Sequence, residues 1–365
     1  MKNVHVNLRK VVDNSYDIVI EPGCLSTIAK DLKAKPLAYR HAIITDSNVG
    51  PLYGASLLKD LKGHGLNADI FYFSAGEEHK NRETKSYLED MLTEKGFGRD
   101  TLIIALGGGV VGDLAGFVAA TYDRKVPFIQ VPTTLMADVD SSVGGKVAVD
   151  TPHGKNLVGA FYQPKKVYID PNTLRTLPRQ EFASGMAEVI KHAMIMDKEY
   201  FEFLEENADA INNLNVNVLV KMIKRSCEIK GKVVELDEEE ENLRGVLNFG
   251  HTIGHGLEKV SNYTLPHGYG VSIGGRYAGE ISAKRSLLRE RELERYITLS
   301  KRFGLPTETH DVDTAELLKA MGADKKVERG QKNFVLPRTI GEMATVNGKY
   351  KIPVADNEII DVLRL

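Results

Sequence analysis

Leu102-Ile103-Ile104-Ala105-Leu106-Gly107-Gly108-Gly109-Val110-Val111-Gly112-Asp113 is the stretch on which the fold turns. Five consecutive apolar residues read as a buried strand, and the glycines run straight into a helix-periodic segment. In that context GxGxxG has a physical meaning. Glycines permit a tight turn and let backbone N–H groups approach a pyrophosphate at a helix N-terminus, where the dipole favours negative charge. By itself the pattern equally describes an ordinary strand-to-helix turn. It also lacks the acidic residue about 20 positions downstream that holds a ribose, because the next strand ends in Pro132-Thr133-Thr134. An upstream run, His41 to Thr45, does end in Asp46-Ser47-Asn48. A ribose could be held from there, or Asp46 could simply cap a turn or helix.

On either side of this stretch, up to about residue 170, short apolar runs alternate with helix-periodic segments: Tyr16 to Ile20, His41 to Thr45, Asp69 to Phe73, Thr101 to Leu106, Phe128 to Val131 and Val167 to Asp170. That alternation predicts a largely parallel α/β sheet. Beyond Leu177-Pro178 the segments Glu181 to Asp197, Lys198 to Ala208, Val216 to Val234, Gly250 to Val260 and Tyr269 to Phe303 are long and helix-periodic, with a strand-like piece at Asn333 to Leu336. The expected organisation is an α/β domain over 1–177 and a mostly α-helical domain over 178–365.

The length of 365 residues exceeds one small domain, and 42% apolar with 27% charged residues is the balance of a chain with a sizeable core. Forty-eight basic against 50 acidic side chains leave a net charge of −2, which supplies no general attraction to nucleic acid or to an anionic membrane. Two cysteines, Cys24 and Cys227, are too few for a disulfide framework and lack the close pairing of a thiolate metal site. The most apolar stretch, Leu102 to Ala120, is interrupted by glycines and Asp113, and the opening Met1 to Val6 has no signal-peptide pattern. A soluble cytoplasmic chain is expected.

In the helical half, His251-Thr252-Ile253-Gly254-His255 sets two imidazoles at i and i+4 on one helical face. It is not HExxH, since Thr252 stands where a metalloprotease base would be, so peptidase chemistry loses its main support. His267 and Glu188, the latter in an otherwise apolar helical segment, are further candidate ligands. A carboxylate with imidazoles suits Zn²⁺ with positions open to substrate. Lys146, Lys155, Lys191, Lys230 and Arg244 sit in small-residue turns or beside these ligands, and would suit a substrate with phosphate and carboxylate groups. The acidic run Asp237 to Glu241 reads as a solvated loop.

Taken in order, Gly107 to Phe117, Pro132 to Lys146, Gly154 to Pro164, Gly185 to Lys191 and Leu247 to His255 resemble the 3-dehydroquinate synthases, with matching motifs from about residue 46 to 341. The resemblance implies an NAD-binding, Rossmann-like α/β domain, a helical domain, a divalent metal (Zn²⁺ or Co²⁺) in the cleft between them, and a homodimer. It implies conversion of 3-deoxy-D-arabino-heptulosonate 7-phosphate to 3-dehydroquinate and phosphate, with NAD⁺ regenerated in each turnover. By carry-over, Glu188, His251 and His267 are the metal ligands and His255 a nearby catalytic group, which replaces the expectation that both histidines of the pair bind metal. Lys146 and Asn156, with Arg124 from the second subunit, would hold phosphate; Lys230, Asn248 and Arg244 would hold the carboxylate end; Asp140, Lys155, Lys191 and Glu240 complete the pocket. On the cofactor side, Gly108, Gly109, Val110 and Asp113 meet the pyrophosphate region with Thr133 and Thr134 nearby. Asp46, Asn48, Glu77 and Lys80 form the adenosine side, with Lys146 and Lys155 adjoining and Thr176, Leu177 and Glu181 at the domain junction.

Two positions depart from the common family forms. Asp150-Thr151-Pro152-His153 stands where Asn-His-Pro-Leu is usual, and Tyr269 replaces a Glu after His267-Gly268, a change beside the metal ligands. Rival readings are a cyclase acting on sedoheptulose 7-phosphate or glucose 6-phosphate, a metal-dependent polyol dehydrogenase, and a non-catalytic nucleotide-binding module. Arg244, Asn248 and Lys230 argue against a carboxylate-free substrate, and the dehydrogenase would accumulate NADH in proportion to product.

Overall fold

The structure is a computed structural model that describes residues 3–8, 13–309, 312–322 and 332–363. Strands β1 (Asp17–Ile20), β2 (Arg40–Asp46), β3 (Asn67–Phe73), β4 (Thr101–Gly107), β5 (Phe128–Pro132), β6 (Lys146–Thr151), β7 (Gly154–Phe161) and β8 (Lys166–Ile169) lie in the first half. Helices α1 (Ile28–Ala34), α2 (Ala55–Gly63), α3 (Arg82–Glu94) and α4 (Gly109–Thr121) connect them. Six strands form one parallel sheet in the order β1-β8-β5-β4-β2-β3. Each of the six apolar runs of the sequence lies in it.

Alternation along the strands explains why these runs are apolar throughout. Ala42, Ile44, Ile103 and Ala105 pack with Leu88, Leu92, Leu114 and Val118 of α3 and α4. Ile43, Leu102, Ile104 and Leu106 pack on the other face with Ile28, Leu32, Leu57 and Leu61 of α1 and α2. A sheet covered on both faces has no solvated side to carry polar residues, and each large aliphatic side chain buried in this way contributes about 1.5–3 kcal/mol. Chain direction across the sheet reverses between β2 and β4, so the carboxyl ends of these strands, Asp46 and Gly107, flank the crevice where open α/β sheets bind ligands.

β6 and β7 form an antiparallel ribbon that the apolar-run pattern did not reveal, with Lys146 opposite Phe161 and Thr151 opposite Gly154. Val147 and Val149 of the ribbon join the core under α4. Their short alternation is split by small and polar residues, which hid the strand.

The second half is helical: α5 (Arg179–Met196), α6 (Lys198–Asn212), α7 (Val216–Leu236), α8 (His251–Val260), α9 (His267–Lys284), α10 (Glu290–Arg302), α11 (Thr314–Gly322) and α12 (Asp356–Leu363). Short strands β9 (Lys332–Phe334), β10 (Pro337–Thr339), β11 (Glu342–Met343) and β12 (Ile352–Val354) pair in twos. The single helical stretch expected from Tyr269 to Phe303 is divided into α9 and α10, because Ser286 takes a left-handed φ of 59° just past the end of α9. The helical core extends into the first half through Leu135, Val139, Val167 and Ile169. Among the described residues no helix is long and apolar enough to cross a membrane.

Glycines bring α5, α8 and α9 into backbone contact. A Cβ on Gly254 would lie 2.8 Å from the carbonyl carbon of Gly270, and one on Gly268 would lie 2.0 Å from the carbonyl oxygen of Ser184. Ser184 is one helical turn before Glu188, and Gly268 follows His267, so this packing delivers Glu188 and His267 to one place. Gly268→Ala must push α9 off α5 and is expected to cost about 1–3 kcal/mol by overpacking. A denaturation midpoint equal to that of the unsubstituted chain would contradict this close approach.

Candidate active site

Glu188, on the buried face of α5, is fully inaccessible, and neither carboxylate oxygen accepts a hydrogen bond of ordinary geometry. Its Oε1 lies 3.7 Å from Nε2 of His251 and 3.5 Å from Nε2 of His267, while Oε2 is ion-paired with Lys191. A carboxylate stripped of water survives as an anion only when paired. Burial opposes its charge, yet Lys191, His267 and His251 hold the Glu188 carboxyl well below its ordinary value. Ligand atoms of Glu188, His251 and His267 lie within 4.8 Å of one another.

Both imidazoles are oriented through Nδ1. His251 Nδ1 is 3.0 Å from the Phe249 carbonyl oxygen, and His267 Nδ1 is 2.8 Å from Oε1 of Glu258. Both Nε2 atoms are thereby turned toward Glu188. Burial disfavours a charged His267 ring, but the carboxylates of Glu188 and Glu258 that face it carry its pKa up to about 10. A divalent ion would displace that proton. An anionic, water-free carboxylate with two imidazoles fits the His₂Glu set of a catalytic zinc site, so the residues present suit a metal.

Beyond Lys191 the ammonium and carboxylate groups continue without a break. Asp140 Oδ1 is 2.8 Å from Nζ of Lys230 and 3.8 Å from Nζ of Lys191. Burial would raise its pKa, but Lys230 and Lys191 carry it down to about 2. His192, fully buried beside them, is pushed down to about 3 by burial and then by Lys191, so it stays neutral. Glu240 pairs through Oε2 with Lys146 and through Oε1 accepts the Asn248 amide at 2.8 Å. Arg244 donates to the backbone carbonyls of Glu238 and Gly144, the latter at 3.1 Å. Lys146, Glu240, Arg244 and Asn248 thus gather at one end of the cleft.

At the crevice end, Gly108 precedes α4 with no side-chain cap, which leaves the first N–H groups of the helix for an anion. A Cβ on Gly108 would lie 2.9 Å from Cγ2 of Thr134, so any larger residue there must displace that side chain. The buried Thr133 hydroxyl has no hydrogen-bond partner among the described residues. Asp46 Oδ1 accepts the N–H groups of Asn48 and Val49 at 2.8 Å each, the turn-capping role weighed for it. Lys80, almost wholly buried, lies 2.7 Å from Glu77, 3.6 Å from Asp113 and 3.7 Å from Asp150. Burial opposes its charge, but these carboxylates hold the ammonium above its ordinary value.

Not every expected residue joins these groups. Arg124 lies beyond the far end of α4, about 20 Å along the helix from the glycine turn, outside this chain's own cleft. Lys146 and Asn156 lie toward opposite ends of the ribbon, about 15 Å apart along it. Thr176 Oγ1 is 2.6 Å from the Tyr53 hydroxyl, and Glu181 is exposed in the first turn of α5. Glu258 was missed, although its place seven residues after His251 puts it on the same face as His251 and His255. Asp150, one of the departures from the common family forms, lies 3.7 Å from Lys80 and accepts the backbone N–H of Asn156 at 2.7 Å.

A family model described as 3-dehydroquinate synthase N-terminal matches residues 70–184, and one described as 3-dehydroquinate synthase C-terminal matches residues 185–327. The 3-dehydroquinate synthase of Caldanaerobacter subterraneus subsp. tengcongensis is 44% identical over 365 residues, covering 100% of both chains. Among solved structures, 2-epi-5-epi-valiolone synthase from Streptomyces hygroscopicus subsp. jinggangensis 5008, with NAD⁺ and Zn²⁺ bound, is 29% identical with a TM-score of 0.88, covering 99% of this chain and 98% of that one. A 2-deoxy-scyllo-inosose synthase complexed with carbaglucose-6-phosphate, NAD⁺ and Co²⁺ is 26% identical with a TM-score of 0.85, covering 95% and 96%.

Burial, against the pull of Lys80, raises the pKa of Asp113 to about 7. The folded chain then binds a proton near neutrality that the unfolded chain releases at about 4, so this group favours folding at low pH and loses that contribution as pH rises through about 7. Asp113→Asn is expected to flatten the fall in thermal midpoint between about pH 5 and pH 8. An identical pH slope in the variant would contradict the assignment.

Proposed function

The chain belongs to the 3-dehydroquinate synthase family, and from that membership we infer that its cleft converts 3-deoxy-D-arabino-heptulosonate 7-phosphate to 3-dehydroquinate and phosphate. One conjunction carries the inference: a buried Glu188, His251 and His267 cluster shares a cleft with Lys191, Lys230 and Arg244, groups suited to a multiply anionic substrate.

Glu188, His251 and His267 would hold Zn²⁺ or Co²⁺, and the uncapped start of α4 with Gly108, Gly109, Val110, Asp113, Thr133 and Thr134 would hold NAD, as both groups are bound in the valiolone and inosose cyclases. Asp46, Asn48, Glu77 and Lys80 would take the adenosine side, with Thr176, Leu177 and Glu181 at the junction. When bound, the metal polarises neighbouring hydroxyls and the nicotinamide takes up and returns a hydride, so that net redox is zero.

This chain's residues do the positioning. Lys146 exchanges its Glu240 partner for the substrate phosphate, with Arg124 supplied by the second subunit of a homodimer; Asn156, held by Asp150 at the opposite end of the ribbon, joins that group only if the ribbon tip moves toward it. Arg244, Asn248 and Lys230 hold the carboxylate; Asp140 keeps Lys230 and Lys191 charged and in place. His255, whose ring centroid is 5.3 Å from that of His251, stands ready to move a proton beside the metal. The ribbon residue Lys155 lies 3.9 Å from Glu77 and 3.5 Å from Glu258, spanning the cofactor and metal ends.

We set the domain division at residues 177 and 178, where the chain leaves the sheet and enters α5. Free Cys24 and Cys227, both buried, suit a reducing cytoplasm.

Phosphate release with NAD⁺ far below substrate, followed in parallel with NADH absorbance, tests the reaction. Many phosphates per NAD⁺ with no net NADH are expected, and activity should fall on chelation. No phosphate release despite bound metal and NAD⁺ would refute it, and NADH formed in proportion to product from a polyol would make the protein a dehydrogenase. Lys146→Ala should lose at least a hundredfold in turnover while its thermal midpoint holds, on the scale of a lost electrostatic contact to the reacting group; near-normal turnover would remove Lys146 from the phosphate site.

A further inference from the structure

The two histidines of the metal cluster are held differently. His251 is mostly buried, and a backbone carbonyl receives its Nδ1. His267 is the more exposed ring, with 35% of its side chain accessible, and it begins α9 directly after Pro266, with no preceding helical turn to confine it. Its Nδ1 is met by a carboxylate. Glu258 Oε1 lies 2.8 Å away, from a side chain only 4% exposed.

Glu258 is itself fixed from several directions. It stands on α8 on the same face as His251 and His255. Its Oε2 is 3.5 Å from Nζ of Lys155, and that ammonium sits 4.8 Å from the centroid of the Tyr263 ring. The Glu258 backbone carbonyl accepts the N–H of Tyr263 at 2.7 Å. Lys155 therefore balances the buried charge, and Tyr263, which packs its ring against that ammonium, is tied back to the Glu258 backbone.

We propose that Glu258 is a positioning residue that fixes the ring orientation and tautomer of His267, and so sets how tightly the cleft holds its divalent cation. An imidazole that donates its Nδ1 hydrogen to a carboxylate presents a lone pair on Nε2, the atom that faces Glu188, and gains basicity as a ligand. The proposal rests on the assignment of Glu188, His251 and His267 as the metal site. A different arrangement is geometrically open, because ligand atoms of His255, Glu258 and His267 also lie within 4.8 Å of one another. In that case Glu258 and His255 would be ligands themselves.

The test is Co²⁺ titration of the metal-depleted full chain in competition with a chromophoric chelator, with the visible Co²⁺ spectrum recorded for each variant. Glu258→Ala is expected to weaken binding by about 10- to 100-fold and shift the spectrum, and Glu258→Gln, which keeps an acceptor but loses the charge, by about tenfold. His255→Ala should bind as tightly as the unsubstituted chain. Unchanged affinity and spectrum in Glu258→Gln overturn the proposal, and that variant decides alone where Glu258→Ala does not fold. A loss in His255→Ala as large as in Glu258→Ala overturns it in favour of the other ligand set. If the unsubstituted chain itself binds no Co²⁺, the metal assignment and this proposal fall together; if it binds Co²⁺ and the Glu258 variants bind it equally well with the same spectrum, this proposal alone falls.

Discussion

A carboxylate with no access to water governs the helical half of this protein. Glu188 stays anionic because Lys191, His267 and His251 face it, and those three groups come from α5, α8 and α9. Removing any one leaves buried charge uncompensated, which is far costlier than losing a surface contact. The helices must meet closely enough to bring the groups together, and this explains the backbone contacts at Gly254, Gly268 and Gly270.

The same compensation extends along the cleft. Lys191 is shared between Glu188 and Asp140, and Asp140 also holds Lys230. Glu240 holds Lys146 and Asn248, and Lys155 joins Glu77 to Glu258. A ligand carrying phosphate and carboxylate enters a site whose cations are already oriented by carboxylates, so little reorganisation is required of them as it binds. Because Lys155 belongs to the ribbon and Glu258 to α8, this chain of ion pairs also ties the sheet half to the helical half.

Much of this was legible in the sequence for a physical reason. A two-sided sheet leaves uninterrupted apolar runs, and the six runs from Tyr16 to Asp170 are its strands. Of the i, i+4 histidines, His251 lies with Glu188 and His267 in a candidate metal cluster, whereas His255 does not belong to that group. What stayed hidden depends on contacts remote in sequence or on weak local patterns. The ribbon's Val147 and Val149 alternate over too short a span to read as a strand, and Ser286 ends a helix with a left-handed turn that no Gly or Pro announces. Glu258 shares the spacing of the two histidines, but only the fold shows that it receives the ring of His267. The pairing of Asp150 is not legible in the sequence because its partner Lys80 lies 70 residues away in the chain.

Diffraction from crystals grown with Zn²⁺, recorded on both sides of the zinc absorption edge, tests the central claim most directly. An anomalous peak bonded to one Glu188 oxygen and to Nε2 of His251 and of His267, each at about 2.0–2.2 Å, is expected. A peak on His255 and Glu258 without Glu188, or none in this cleft with zinc bound elsewhere, would contradict it.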